Sequence, residues 1–168
     1  ALPPADRNTI LFCAEAYDYA NSVAKDYGIL LIKEILERFP TNTFVYRPHP
    51  NWVNHPISLK IRESFAGEQR FIFDSTASSE AIMASGCALI TDGSLSGLTY
   101  CLGASRPAIF FNPSELSPHF DPNVVGFHFE NGTLFRFTSS IEETLNALED
   151  LVADPAKEFD EIATLAGK

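Results

Sequence analysis

Five short apolar segments recur along this chain, and the stretches between most of them show helical periodicity or helix-capping residues. The segments are residues 9–13, 43–46, 70–73, 87–90 and 108–111. Apolar strands that alternate with helices build a parallel sheet that is covered on both faces. We therefore predict an α/β fold, a Rossmann-like doubly wound parallel sheet with helices on both faces, formed by residues 1–168 as a single domain.

The helices are predicted from side-chain spacing and from start and stop residues. Ile29, Ile32, Leu36 and Phe39 share one helical face, and a short amphipathic helix covers residues 57–65. Two more helices follow the third and fourth strands. They are a helix that is capped by Asp74-Ser75-Thr76, continues to Ala84 and stops at Gly86, and a helix over residues 96–102.

The last part of the sequence has a different pattern. Residues 126–129 and 133–137 flank Asn131-Gly132, a dipeptide typical of hairpin turns, and predict either a hairpin or one strand and a loop. Two helices are expected to follow. The first is opened by a doubled capping box, with serines at 139 and 140 and glutamates at 142 and 143, and ends near residue 152; the second begins at residues 154–155.

Charge and composition exclude several classes of protein. A net charge of −10 argues against a nucleic-acid partner, since phosphate backbones are bound by clusters of Lys and Arg. No apolar run is long enough to insert into a membrane, and no signal peptide opens the chain. We expect a cytoplasmic domain, at most peripheral to the membrane in the full-length protein. The missing initiator methionine leads us to expect that it comes from a longer chain.

The three cysteines are odd in number and have apolar neighbours. Cys13, Cys87 and Cys101 lie too far apart in sequence for a metal site. We expect buried, reduced thiols, as is usual in the cytosol. A single reactive thiol is the alternative.

Two polar segments each follow an apolar strand and would meet at one edge of the sheet. They are Arg47-Pro48-His49-Pro50 and Thr91-Asp92-Gly93-Ser94-Leu95-Ser96-Gly97. Ligands of open parallel sheets bind beyond the carboxyl ends of the strands. Arg47 can bind phosphate through its planar fork, and His49 can donate to a phosphate oxygen or transfer a proton near neutral pH. The alternative is a proline-stiffened loop in which Arg47 is solvated and His49 caps a carbonyl.

The second segment adds hydroxyl groups at the start of a helix. Ser94, Ser96 and Gly97 lie where unpaired N–H groups and a partial positive charge favour a diphosphate. Ser75 and Thr76 repeat this arrangement one strand earlier. In both places plain helix capping is the alternative interpretation.

The sequence argues against several other sites. No G-x-G-x-x-G follows the first strand, and no G-x-x-x-x-G-K-[ST] occurs, so neither a dinucleotide site nor a P-loop is expected. Leu95 occupies the position that a nucleophilic serine takes in a nucleophile elbow. The spacing of His49, His55, Asp74 and Asp92 matches no standard metal site, so no metal is expected.

The order of these motifs resembles the C-terminal, donor-binding domain of GT-B glycosyltransferases. Within that fold the chain is most similar to the CDP-glycerol glycerophosphotransferase family of teichoic-acid polymerases and its capsule-synthesis relatives. Arg47, His49 and Pro50 match an Arg-x-His-Pro strand end. Thr91, Asp92 and Ser94, with Ser96 one position later, match in part a Thr-Asp-x-Ser-Ser turn. Arg106-Pro107 corresponds to a Lys-Pro-type turn, and residues 126–130 form a Gly-Phe-x-Phe-Glu segment.

The resemblance implies both a function and a site. It implies that His49 and Ser94 contact the donor diphosphate without a metal and that Arg47 and Asp92 support them. His49 is the predicted catalytic residue, either as an acid or base or as a hydrogen-bond donor to phosphate. The substrate would be a CDP- or UDP-linked donor of glycerophosphate or a sugar, with no further cofactor, and the acceptor would belong to the cell envelope or capsule. Such active sites lie between two domains, so we expect an N-terminal GT-B half as partner and no turnover by this domain alone.

Two alternatives stay open. The C-terminal half of UDP-N-acetylglucosamine 2-epimerases shares a His-Pro segment and has an Asp-Ser-Gly-Gly turn. The polymerase pattern has an aromatic residue where Gly93 stands and a different loop after the first strand, which favours a non-catalytic α/β binding module.

Overall fold

The computed structural model describes residues 6–14, 27–76, 81–82, 85–91, 100–101, 106–111 and 135–153. Its described part contains a sheet of six parallel strands in the order β3-β2-β1-β4-β5-β6. The strands are β1 (Asp6–Cys13), β2 (Thr43–Arg47), β3 (Phe71–Phe73), β4 (Ser85–Thr91), β5 (Ala108–Phe111) and β6 (Phe135–Thr138). The order reverses between β1 and β4, as in a doubly wound sheet. The predicted fold class is confirmed.

Side chains of the strands alternate between two buried clusters, one on each face of the sheet. In β1, Ile10 and Phe12 belong to the first cluster, whereas Leu11 and Cys13 belong to the second. Successive side chains of a strand point to opposite faces, so burial of both faces requires an apolar residue at every position. This is why the strands read as continuous apolar runs.

Three helices cover the first face of the sheet: α1 (Gly28–Arg38), α2 (Pro56–Ser64) and α3 (Ile141–Ala153). α1 places Leu31, Ile32 and Ile35 in the first cluster, α2 places Ile61 there, and α3 places Leu148 there. Ala81, Ile82 and Cys101 belong instead to the second cluster, on the opposite face.

Arg38, at the end of α1, ties this helix to α3. Its Nε donates to Oε1 of Glu149 at 2.6 Å, and its Nη2 donates to Oε2 of the same carboxylate at 3.1 Å and to Oδ1 of Asn146 at 2.8 Å. Nη1 reaches Glu142 at 3.3 Å. The hydrogen bonds from Arg38 lower the pKa of Glu149 below its usual value.

α3 begins with one capping box instead of the predicted two. The Ser140 hydroxyl accepts the Glu143 backbone N–H at 3.2 Å, and the Glu143 carboxylate accepts from the backbone N–H and hydroxyl of Ser139 at 2.8 and 2.9 Å. The doubled box is wrong because Glu142 accepts from Arg38 instead.

The prediction that Gly86 stops a helix is wrong, because Gly86 lies inside β4, which begins at Ser85. The second half of the predicted hairpin is β6, which is parallel to β5. The predictions for residues 77–80, 83–84, 96–99, 126–134 and 154–155 concern positions outside the described residues.

The three cysteines are free and buried, which confirms the prediction of reduced thiols. Burial raises the pKa of Cys13 and of Cys87 to about 12, and it also raises the pKa of Cys101. Thiols with such pKa values stay protonated near neutral pH and are poor nucleophiles. Separately, none of the helices in the described part of the chain has both the length and the apolar character needed to cross a bilayer.

Candidate anion-binding site

The carboxyl ends of β1 and β2 meet next to the point where the strand order reverses. Cys13, the last residue of β1, is in register with Arg47 on one side and with Ile90 on the other. The Arg47 carbonyl accepts the backbone N–H of Ala14 at 2.9 Å, which continues the pairing beyond the end of β1. Arg47 therefore lies at the edge where parallel α/β sheets bind ligands.

The Arg47 side chain is buried and is held by two carbonyl groups. The residue is only 4% exposed. Its Nε donates to the Thr76 carbonyl at 2.8 Å, and its Nη1 donates to the Pro48 carbonyl at 3.3 Å. Among the described residues it makes no ion pair with a carboxylate. This excludes the solvated arginine of the alternative interpretation and leaves a desolvated positive charge at the edge.

Thr76 is held by Asp74 in a tight turn that follows β3. The Asp74 carboxylate accepts the Thr76 backbone N–H at 3.0 Å and the Thr76 hydroxyl at 2.6 Å. The Asp74 backbone N–H in turn donates to the Tyr46 carbonyl of β2 at 3.0 Å. Ser75, between them, is exposed. The structure thus joins Thr76 to Arg47 through a carbonyl, and phosphate contacts by Ser75 and Thr76 stay a prediction.

His49 is half-buried and caps a short 3₁₀ turn, Pro50–Trp52. Its Nδ1 accepts the Asn51 backbone N–H at 3.4 Å, a long and weak hydrogen bond. An accepting Nδ1 carries no proton, so the neutral ring has its proton on Nε2. Nε2 donates to none of the described residues. The cap therefore orients the imidazole and leaves an N–H donor for a ligand.

His55 has the same local arrangement as His49. Its Nδ1 accepts the Ile57 backbone N–H at 3.3 Å and caps α2, with Pro56 in the first turn. Its ring packs edge-on against Trp52, with the ring centres 4.9 Å apart. His49 and His55 are thus each followed by proline, and each caps the helical turn that begins there.

The charges of Arg47 and Asp74 both act on the pKa of the Cys13 thiol at the end of β1. Burial has the largest effect on the pKa of Cys13 and raises it, the Arg47 guanidinium lowers it, and the Asp74 carboxylate raises it. Both charged groups therefore lie close to the end of β1. Sequence analysis missed Asp74 as a site residue, although Asp-x-Thr after a strand is a signal for this kind of turn.

The other predicted site residues lie outside the described residues. These are Asp92, Ser94, Ser96 and Gly97. The strand that leads to them, β4, ends at Thr91, beside β1. Within the described ranges, no group of three His, Cys, Asp or Glu side chains could hold a metal ion.

Several solved structures share this fold. The wall teichoic acid polymerase TagF is 15% identical, with a TM-score of 0.59 over 95% of this chain and 39% of TagF. TarM is 11% identical, with a TM-score of 0.66 over 94% of this chain and 31% of TarM. The E. coli heptosyltransferase WaaC, solved with ADP, is 14% identical, with a TM-score of 0.57 over 91% of this chain and 46% of WaaC.

These three proteins are GT-B glycosyltransferases. The chain has the fold of a GT-B glycosyltransferase domain. It spans less than half the length of each of the three structures. No protein-family model and no curated protein matches the sequence.

Proposed function

We propose that this chain is the donor-binding half of a GT-B type transferase, which moves glycerophosphate or a sugar from a nucleotide-diphosphate donor to a cell-envelope or capsule acceptor. The observation that carries the proposal is the buried guanidinium of Arg47 at the carboxyl edge of the sheet. A buried charge without a paired charge is costly for a fold. A bound diphosphate would supply the missing negative charge.

His49 supports the same assignment. It follows Arg47 by two residues, and its Nε2–H can donate to a phosphate oxygen while Nδ1 is engaged with Asn51. Whichever group is transferred, negative charge increases on the phosphate that leaves with the nucleotide. Arg47 and His49 would stabilise that charge with N–H groups that are already oriented before the nucleotide-linked substrate binds. In this assignment His49 is a hydrogen-bond donor, because its proton is on Nε2 and its other nitrogen caps a turn.

The name of TagF as a wall teichoic acid polymerase favours an envelope acceptor for this chain, and a TagF variant was solved after a soak with CDPG. WaaC, solved with ADP, is a relative in fold that binds a nucleoside diphosphate. Together with the Arg-x-His-Pro motif at residues 47–50, these names make CDP the first nucleotide to test.

The test is a titration of the isotope-labelled chain with CDP, UDP and GDP, followed by NMR. We expect weak binding, with shifts of the backbone amides around Arg47 and His49. Arg47→Met should weaken CDP binding about tenfold or more, the effect of losing a hydrogen bond between charged groups. Lys33→Met removes one positive charge from an exposed position on α1 and is the matched control, which should bind normally.

The absence of shifts near Arg47 and His49 with all three nucleotides would contradict the proposal. Equal weakening by Arg47→Met and Lys33→Met would reduce the effect to net charge. A clear preference for UDP over CDP would favour the epimerase-like alternative over a glycerophosphotransferase.

A further inference from the structure

We propose that Asp74 is a positioning residue, which fixes the guanidinium of Arg47 through Thr76. The inference rests on the proposed function in that Arg47 is taken as the phosphate-binding group. The positioning itself is a property of the unliganded fold and can be measured without a nucleotide.

Four hydrogen bonds anchor Asp74 on β2 and connect it to the guanidinium of Arg47. The backbone of Asp74 is anchored on β2 by its N–H bond to the Tyr46 carbonyl, at 3.0 Å. Its carboxylate then binds both the backbone N–H and the hydroxyl of Thr76, at 3.0 and 2.6 Å. These two bonds fix the orientation of Thr76, whose carbonyl accepts Nε–H of Arg47 at 2.8 Å.

This arrangement holds Arg47 without neutralising it. Asp74 makes no ion pair with Arg47, so the carboxylate binds Thr76 and a neutral carbonyl binds the guanidinium. With Nε and Nη1 engaged by carbonyl groups, Nη2 donates to none of the described residues. A carboxylate directly on the guanidinium would compete with an incoming phosphate for the same donors. Holding Arg47 through Thr76 avoids that competition and leaves Nη2 for the ligand.

Exchange of the arginine Nε–H protons with solvent, measured by NMR on the unliganded chain, tests the inference. The Arg47 signal is assigned by its loss in Arg47→Lys. In Asp74→Ala we expect its exchange to accelerate about tenfold or more, since the carbonyl that protects it is no longer fixed. Thr76→Val removes only the 2.6 Å bond and should give a smaller acceleration. The Arg70 Nε–H, bound to Glu68 at 3.0 Å, is the internal control and should not change.

Asp74→Asn is the conservative variant. Its amide oxygen can still accept the Thr76 backbone N–H, so it should restore most of the protection of the Arg47 Nε–H. A purely structural Asp74 would lower the melting temperature in Asp74→Ala and leave the Arg47 exchange rate unchanged. That result would overturn the inference.

CDP then separates this inference from the proposed function. If the wild type binds CDP, Asp74→Ala should weaken binding about tenfold or more and Asp74→Asn should bind nearly as the wild type. Equal affinity of Asp74→Ala and wild type would overturn the inference. If the wild type binds no nucleotide but Arg47 exchange still accelerates in Asp74→Ala, the proposed function fails and the positioning role stands.

Discussion

The burial of Arg47 predicts that its removal has little effect on the stability of the unliganded fold. Arg47→Met removes a nearly buried guanidinium together with its hydrogen bonds to the Thr76 and Pro48 carbonyls. Each bond from a charged donor contributes about 1.5–3 kcal/mol. Desolvation of one buried ion costs on the order of several kcal/mol, which the removal recovers. We therefore expect the free energy of unfolding to change by no more than about 1 kcal/mol in either direction.

Arg70 is the matched comparison, because it is an arginine that is bound to an acid. It lies just before β3 and donates to the Glu68 carboxylate at 2.9 and 3.0 Å. Its Nη1 also donates to the carbonyls of Leu36 and Phe39, at the end of α1, at 2.9 and 3.1 Å. The Arg70 side chain is 30% exposed, so it is less desolvated than Arg47. Arg70→Met should destabilise the fold by about 1–3 kcal/mol as these carbonyls lose their donor.

Thermal unfolding of Arg47→Met, Arg70→Met and the wild type, measured without ligand, tests whether Arg47 contributes less to stability than Arg70. For a chain of this size, 1 kcal/mol corresponds to about 2–4 °C. We expect Arg47→Met to melt within about 4 °C of the wild type and Arg70→Met to melt roughly 2–12 °C lower. Saturating CDP should raise the melting temperature of the wild type and of Arg70→Met much more than that of Arg47→Met. A loss of stability in Arg47→Met equal to or larger than that in Arg70→Met would refute the reasoning and make Arg47 a structural residue.

Three further predictions follow from the described contacts. Thr144→Val should lower the free energy of unfolding by about 1–3 kcal/mol in chemical denaturation, because the buried Thr138 hydroxyl loses its partner at 2.8 Å. The double variant Thr138→Val/Thr144→Val leaves no hydroxyl of this pair unpaired and should recover part of the loss. Arg38→Gln should lower the melting temperature at pH 7. Because Arg38 lowers the pKa of Glu149 in the folded chain, the difference should shrink as the pH falls below about 4.3, the ordinary pKa of a glutamate in the unfolded chain; a difference of the same size at pH 3 would contradict this. His49→Asn and His55→Asn should both melt close to the wild type, since asparagine can also accept the backbone N–H that each histidine caps. In a titration with CDP, only His49→Asn should bind the nucleotide more weakly than the wild type.

The fold is predictable from this sequence because both faces of a parallel sheet are buried. The apolar segment at residues 108–111 has the same bounds as β5. The bounds of β1 and β4 are not predictable in this way, since both strands extend beyond their apolar cores. Asp6 pairs with Ser85 at the amino edge, where backbone hydrogen bonds and not apolar side chains hold the strands together. Residue type therefore identifies the middle of a strand better than its ends.

The site is only partly predictable for a related reason. Arg47 can be identified from its place at the end of an apolar run. Its partner Thr76 lies 29 residues further along and reaches it only because β3 pairs with β2. The sequence predicts a helix cap at Asp74-Ser75-Thr76, and in the structure the Asp74 carboxylate accepts the backbone N–H and the hydroxyl of Thr76. The sequence does not indicate strand order, so the bond between Thr76 and Arg47 cannot be deduced from residue types.

The two histidines show how sequence and location contribute differently to function. His49 and His55 are each followed by proline, and each accepts a backbone N–H through Nδ1, so local sequence explains the cap in both cases. Only His49 lies two residues after the end of a sheet strand, β2, whose last residue is the buried Arg47. The cap fixes the tautomer and the ring orientation, and the sheet edge decides whether the remaining N–H faces a possible ligand. Capping and ligand binding are therefore compatible roles for His49, because they use different nitrogens of the same ring.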